Sequence, residues 1–270
     1  MLPLDSLKWT ELYHAYGSAS DVPKMLSDLR CASDEESWNR LLWYDIAGSL
    51  CHQGTVYTAT YAAVPHLTDM LNDADEFRRF YLIILLGWIS ASTDKAPIPK
   101  EFESDYKNAI DVAAKVALEL LLSQDYEKGD YIYLLQSVAG LHSCQGPDNK
   151  LETMVVNKQY EVYCPFCREF LVAAIRESGF YVFAATTNSF NPLTEEIEVK
   201  LRNIIDEDWK GVINCQDSFG WLFSISRLKG HHDICLGLRC LYGDTTCPRC
   251  KGIFNLMESF SGNSVSPPPV

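Results

Sequence analysis

The sequence predicts a mainly α-helical protein: stacked helical repeats, then a small β module in which two separated cysteine hairpins meet. Three observations carry that expectation. Apolar residues recur at helical spacing from about Glu36 to Ser143. A weak repeat links Leu12–Pro23 with Leu50–Pro65. Two Cys-Pro-x-Cys pairs, Cys164/Cys167 and Cys247/Cys250, lie far apart in the chain.

The helices come first. Trp38, Leu41, Leu42, Ile46 and Leu50 fall on one stripe. So do Phe77, Phe80, Tyr81, Ile84, Leu85 and Trp88, and then Tyr106, Ile110, Ala113, Ala117 and Leu121. Breakers separate them at Asp73-Ala-Asp75, Ala96-Pro-Ile-Pro99 and Lys128-Gly-Asp130. The stretch therefore predicts at least five consecutive helices, with short connections that make neighbours antiparallel. Its longest apolar run, Phe80 to Ile89, is too short to span a bilayer. It reads instead as a helix buried on most sides, Trp88 included.

The repeat sharpens the architecture. Leu12-Tyr-His14 followed by Val22-Pro23 is echoed by Leu50-Cys-His52 followed by Val64-Pro65. The offset between the copies is close to the roughly 40–47 residues of two-helix HEAT-type repeats, which bury their faces only by stacking. Residues 1–157 are thus expected to form a HEAT-like α-solenoid. Pro23 and Pro65 should sit in a first helical turn or kink the helix.

Near residue 158 the pattern changes. Tyr160–Cys164, Glu169–Ile175 and Gly179–Ala184 are rich in β-branched and aromatic residues and predict short antiparallel strands. Helical spacing returns at Ile197, Leu201, Ile204 and Ile205, and from Trp221 through Leu241. Residues 158–260 are read as C-terminal helices with the knuckle module. Residues 261–270, with three consecutive prolines, have nothing to bury and read as a disordered tail.

The two-residue spacing in each Cys-Pro-x-Cys lets a tight turn aim both thiolates at one metal, with backbone N–H groups facing the sulfurs. Two such knuckles complete a tetrahedral shell closed to water, which predicts one structural Zn2+ ion on Cys164, Cys167, Cys247 and Cys250. Gly252 suits the second turn. The rival reading is redox chemistry at Cys164/Cys167, which belongs at a helix N-terminus early in a βαβ unit; no such unit is evident. The other six cysteines, at 31, 51, 144, 215, 235 and 240, mostly have apolar neighbours and read as small buried hydrophobes in a reducing cytoplasm.

Net charge is −13. That disfavours sequence-independent contact with nucleic acid, whose phosphates need Lys and Arg, and favours a basic partner. The acids singled out for such a partner are Asp73, Asp75 and Glu76, then Glu195, Glu196 and Glu198. Asp34 and Glu195 sit where acids favour a helix dipole, and Asp206-Glu-Asp208 forms a further acidic run. No basic n-region precedes an apolar stretch at the N-terminus, so neither a leader nor a membrane contact is expected. His14 and His52 are read as fixing the inter-helix turns of their repeats rather than as a metal or acid–base pair, and His231-His232 as a helix cap.

The segments Leu12–Pro23 and Leu50–Pro65 resemble the opening of a group of bacterial HEAT-repeat-like proteins that often end in paired Cys-Pro-x-Cys knuckles. The resemblance covers the opening of the chain, to just beyond Pro65, and the knuckles. It transfers no catalytic residue. Some of that group resemble immunity proteins that neutralise polymorphic toxins, which implies a protein partner. The leading expectation is therefore a non-catalytic inhibitor that captures a basic toxin domain. The alternatives are a thiol oxidoreductase using Cys164/Cys167, a HEAT-type nucleic-acid repair enzyme with a basic, aromatic-lined groove, and an assembly scaffold without inhibitory role.

Overall fold

Helical spacing in the first half becomes helix. The computed structural model describes residues 1–144, 150–186, 192–204 and 213–259 and is mainly helical. The chain divides into two units, Met1–Gln145 and Gly146–Val270.

The first unit opens with a 3-10 turn, Leu7–Glu11, whose buried Trp9 donates from Nε1 to the Pro3 carbonyl at 3.0 Å. A small antiparallel hairpin follows, β1 (Tyr13–His14) and β2 (Gly17–Ser18). Helix α1 (Val22–Cys31) carries Pro23 in its first turn, where the missing N–H costs nothing. Helix α2 (Glu35–Arg40) runs on through a π-helical stretch, Leu41–Ala47, into a last turn, α3 (Gly48–Leu50). Next come β3 (Thr55–Val56), α4 (Thr58–Asp69), α5 (Glu76–Ala91), β4 (Asp94–Lys95, parallel to β3), α6 (Lys100–Ser123) and α7 (Lys128–Leu141).

Caps fix where these helices begin. The Asp34 carboxylate accepts from the Ser37 N–H, and Asp75 from the Arg78 N–H, each at 2.8 Å. The Asp34 carboxyl is held below its ordinary range mainly by the hydrogen bonds from Ser37. Pro65 lies inside α4, where it withholds a hydrogen bond from the Tyr61 carbonyl. Lys128-Gly-Asp130, read as a breaker, instead forms the first turn of α7; the interruption falls just before it.

Within this unit α1 packs on α4, α4 on α6, and α5 on α7. The α5–α7 approach is close enough that a Cβ on Gly87 would meet the Ser137 Cβ at 2.5 Å. Leu82, Ile83, Leu85, Leu86 and Ile89 of α5 are buried. Trp88 is not. It is 45% exposed, which corrects the reading of that helix as apolar and covered throughout.

The second unit begins with α8 (Lys150–Asn157) and an antiparallel sheet in the order β5-β6-β7-β8. Its strands are β5 (Gln159–Tyr163), β6 (Phe170–Arg176), β7 (Gly179–Ala184) and β8 (Ile197–Glu198). Val172, Ala174, Phe183 and Ala185 form a buried cluster on it. Helices α9 (Ser218–Leu228) and α10 (His232–Leu241) follow, separated at Gly230, whose φ of +76° suits glycine. Helix α10 packs on both α9 and α8. Strands β9 (Asp244–Thr246) and β10 (Ile253–Asn255) form a final hairpin. The helix expected from Ile197 onward is absent: Ile197 pairs with Val182 as β8, and Leu201 and Ile204 lie in irregular chain. An i, i+4, i+7 spacing over so short a run does not outweigh a free sheet edge. Glu195 consequently caps no helix. Ile205, the Asp206–Asp208 run and residues 261–270 lie outside the described residues.

Candidate metal centre

The sequence builds the same turn twice. Cys164-Pro-Phe-Cys167 joins β5 to β6, and Cys247-Pro-Arg-Cys250 joins β9 to β10. The two loops are equal in length, spanning Tyr163↔Phe170 in one hairpin and Thr246↔Ile253 in the other. The Arg168 N–H donates to the Cys164 carbonyl at 2.9 Å, and the Lys251 N–H to the Cys247 carbonyl at 3.0 Å. Each turn then closes at its base, Cys164 N–H to the Glu169 carbonyl at 3.0 Å and Cys247 N–H to the Gly252 carbonyl at 2.8 Å.

The chain reverses through a left-handed residue directly after the second cysteine. Arg168 has φ +60° and Lys251 +62°, uncommon for residues with a side chain and sustained by the hydrogen bonds just named. Gly252 therefore does not supply the turn, as its type suggested. It supplies space: a Cβ there would fall 2.4 Å from Cδ2 of Phe166 in the other knuckle. The knuckles are further joined by a hydrogen-bonded ion pair between Arg249 and Glu169. Neither contact was legible in the sequence, because Phe166 and Arg249 are the variable residues of their motifs.

All four sulfurs lie within 4.8 Å of one another and could hold a metal ion. The cross-knuckle separations, Cys164 to Cys250 and Cys167 to Cys247, are both 3.7 Å. Four thiolates about 2.3 Å from a central zinc would stand about 3.8 Å apart at the corners of a tetrahedron. The spacing fits such a shell and is far too long for disulfides, which need about 2.05 Å. The first cysteine of each pair is buried and the second faces solvent more. Burial pushes the Cys164 thiol up to about 12, against N–H groups of Cys167 and Phe166 that favour the thiolate. Burial also raises Cys167, whereas the Gly252 N–H foremost brings Cys250 down to about 7. A cation among them would override these differences, since a coordinating thiol is deprotonated outright.

Other sequence candidates fall elsewhere. His14 Nε2 lies 3.0 Å from Asp21 and its Nδ1 accepts from the Tyr16 N–H at 3.1 Å, so it ties down the loop of its own repeat. His52 meets not His14 but the Tyr16 hydroxyl, at 3.3 Å. Among the described residues neither histidine belongs to a metal-ligating group. His231 occupies the N-cap position of α10 without capping it through its side chain. Asp73 is exposed, Asp75 is the N-cap of α5 and Glu76 stands in its first turn. Glu195 and Glu198 are exposed, and Glu196 pairs with Arg176 at 3.3 Å.

The remaining cysteines divide. Cys235 and Cys240 are buried free thiols, burial pushing Cys235 up to about 11. Cys31 is exposed and Cys51 half-buried. Cys144 and Cys215 are disulfide-bonded. The expectation of six apolar, reduced cysteines thus holds for two, and the cysteines no longer argue for a reducing compartment. No helix among the described residues is long and apolar enough to cross a membrane. No family model, no curated protein and no solved structure matches the chain.

Proposed function

We propose that this chain is a non-catalytic, cytoplasmic protein-binding protein that captures a basic protein domain and blocks it, as an immunity protein does its toxin. The observation that carries this reading is a net charge of −13, with acids at Asp73, Asp75, Glu76, Glu195 and Glu198 turned to solvent. Such a surface accelerates encounter with a cationic partner and fixes its orientation. The packing of α1 on α4 on α6, with α5 on α7, supports a HEAT-like α-solenoid, an architecture that offers extended binding surfaces.

The four-cysteine cluster supports one zinc ion in a structural role. An all-thiolate shell selects soft metals, and a closed tetrahedron leaves no position for substrate. The oxidoreductase alternative gains nothing from the fold. Cys164 lies in a hairpin turn with its thiol raised, whereas a reactive cysteine of that motif has a lowered pKa at a helix N-terminus.

Co-expression with the protein encoded next to it tests the function. Rescue of growth from a toxic neighbour is the expected result. A neighbour that is harmless, or stays lethal beside a folded copy of this chain, replaces the inhibitor with a scaffold.

A further inference from the structure

The first unit presents a row of aromatic rings, called here the aromatic groove, that leads from its buried core out to solvent. Helix α2 with its π-helical continuation lies alongside α5, and the rings between them form one continuous series. Trp38 stands 6.1 Å from Phe77, Phe77 4.8 Å from Tyr81, Tyr81 6.1 Å from Trp43, and Trp43 5.0 Å from Trp88. Exposure rises along the series. Trp38 is buried, the middle three rings are half-buried and Trp88 is 45% exposed. Tyr44, next to Trp43 on the π-helical stretch, is 77% exposed.

Two features separate this surface from an ordinary helix face. Single exposed aromatics need no explanation, but a contiguous set of Trp and Tyr is the composition of an interaction hot spot. The backbone beneath it is irregular as well. A π-helical turn is rare and is found mostly at functional sites, and here it carries Trp43 and Tyr44.

Charge selects the occupant. The two helices start side by side, since the Arg78 guanidinium donates to the Ala32 and Ser33 carbonyls at 3.1 and 2.9 Å. The caps Asp34 and Asp75, the first-turn acids Glu35, Glu36 and Glu76, and Asp73 just ahead of α5 therefore gather at one end of the groove, all of them exposed. The nearby cations are partly engaged. Arg78 is also 3.3 Å from Asp75, and Arg79 donates to the Leu71 carbonyl. Indole and phenol faces attract cations through the ring quadrupole, so the rings and the acids favour the same partner chemistry.

We infer that this groove is where the protein grips its partner, and that it takes a protein segment rich in Lys and Arg with apolar side chains between them. This rests on the basic-partner reading above and deepens it by naming the surface. Basic side chains pair with the acids at the helix starts, while apolar and cationic ones lie on Tyr81, Trp43 and Trp88. From Glu76 to Trp88 the groove runs about 18 Å along α5, the length of about five extended residues.

The test uses the full chain and a synthetic amphipathic peptide of alternating Arg/Lys and Leu, with one control peptide in which Glu replaces the cations and another in which Ser does. Binding is read by titration calorimetry and by the shift in tryptophan emission. The basic peptide is expected to bind with an affinity that falls as salt rises. Trp88→Ala should weaken it about tenfold or more. Glu35→Gln, Glu36→Gln and Asp73→Asn together should reduce its salt dependence. Trp88 is 45% exposed, so the variant should fold, which circular dichroism checks; Trp88→Leu serves if it does not.

Unchanged binding by Trp88→Ala, or by Trp88→Leu in its place, overturns the groove and leaves the basic-partner reading standing. Equal binding of the acidic or neutral peptide, or no binding of the basic one, overturns the groove and removes its support from that reading. Self-association that Trp88→Ala abolishes assigns the groove to a second copy of this chain and overturns the proposal.

Discussion

The two units place their stability in different hands. The first buries aliphatic side chains along helices of up to 24 residues, with Leu42, Ile46, Leu67, Leu85, Leu134 and Leu135 inaccessible to solvent. Its order comes from many small contributions, each set by apolar area removed from water. The second has a sheet of short strands, and the two hairpins that carry the cysteines are shallow, limited by β5 in one and by β9 in the other. Phe219, Leu222, Ile225 and Leu238 give this unit a buried core as well, but its knuckles bring together four sulfurs that could hold a metal ion. Distributed burial tolerates the loss of a part; a ligand shell does not.

That contrast yields its largest test at the cysteines. One zinc per chain is expected in protein purified without added metal, and none after Cys247→Ser together with Cys250→Ser. Metal at such sites contributes on the order of 10 kcal/mol to folding. Hydrogen exchange should therefore show β5, β6, β9 and β10 losing protection while α4 to α7 keep theirs. Loss spread evenly over both units, or none, would contradict a separate metal-dependent unit.

A smaller effect distinguishes buried from exposed positions on one helix. Leu85→Ala should cost about 2–5 kcal/mol. Trp88→Ala, on the next turn but 45% exposed, should cost only about 1 kcal/mol, because much of its area stays wet in the folded state. Chemical denaturation of the two variants measures the gap. Equal costs would mean that the aromatic groove belongs to the core after all.

The most local effect lies between the knuckles. Gly252→Ala puts a methyl group against Phe166 and should cost about 1–3 kcal/mol. If the clash is the cause, adding Phe166→Ala should recover most of the loss in a double-mutant cycle. Strictly additive costs would place the effect in the turn backbone instead.

How much of this was legible varies with the range of the interaction. The stripes Trp38–Leu50 and Tyr106–Leu121 and the strands around the first cysteine pair were readable, because the helical and strand periods are local consequences of backbone geometry. The run after Ile197 was misread for the opposite reason. So short a run fits either period, and Val182, across the sheet on β7, decided for a strand. Trp88 shows the same limit on a helix. Periodicity places it on a stripe with Ile84 and Leu85, but whether a neighbour covers that stripe is not written in α5 itself. The disulfide-bonded Cys144 and Cys215 have polar neighbours, Ser143 and Gln145 in one case and Asn214 and Gln216 in the other, so the reading as buried apolar thiols had no local support there.

The sequence by itself determined that the first half is helical, that each Cys-Pro-x-Cys forms a turn aiming two thiols the same way, and that the molecule is strongly acidic. These follow from steric preference, residue type and charge, and need no knowledge of distant contacts. Only the tertiary structure decided that the two turns meet with sulfurs 3.7 Å apart, that Gly252 makes room for Phe166, and that five aromatic rings line up beside an acidic end. Those depend on which surfaces come together across long stretches of chain, and no local preference encodes that choice.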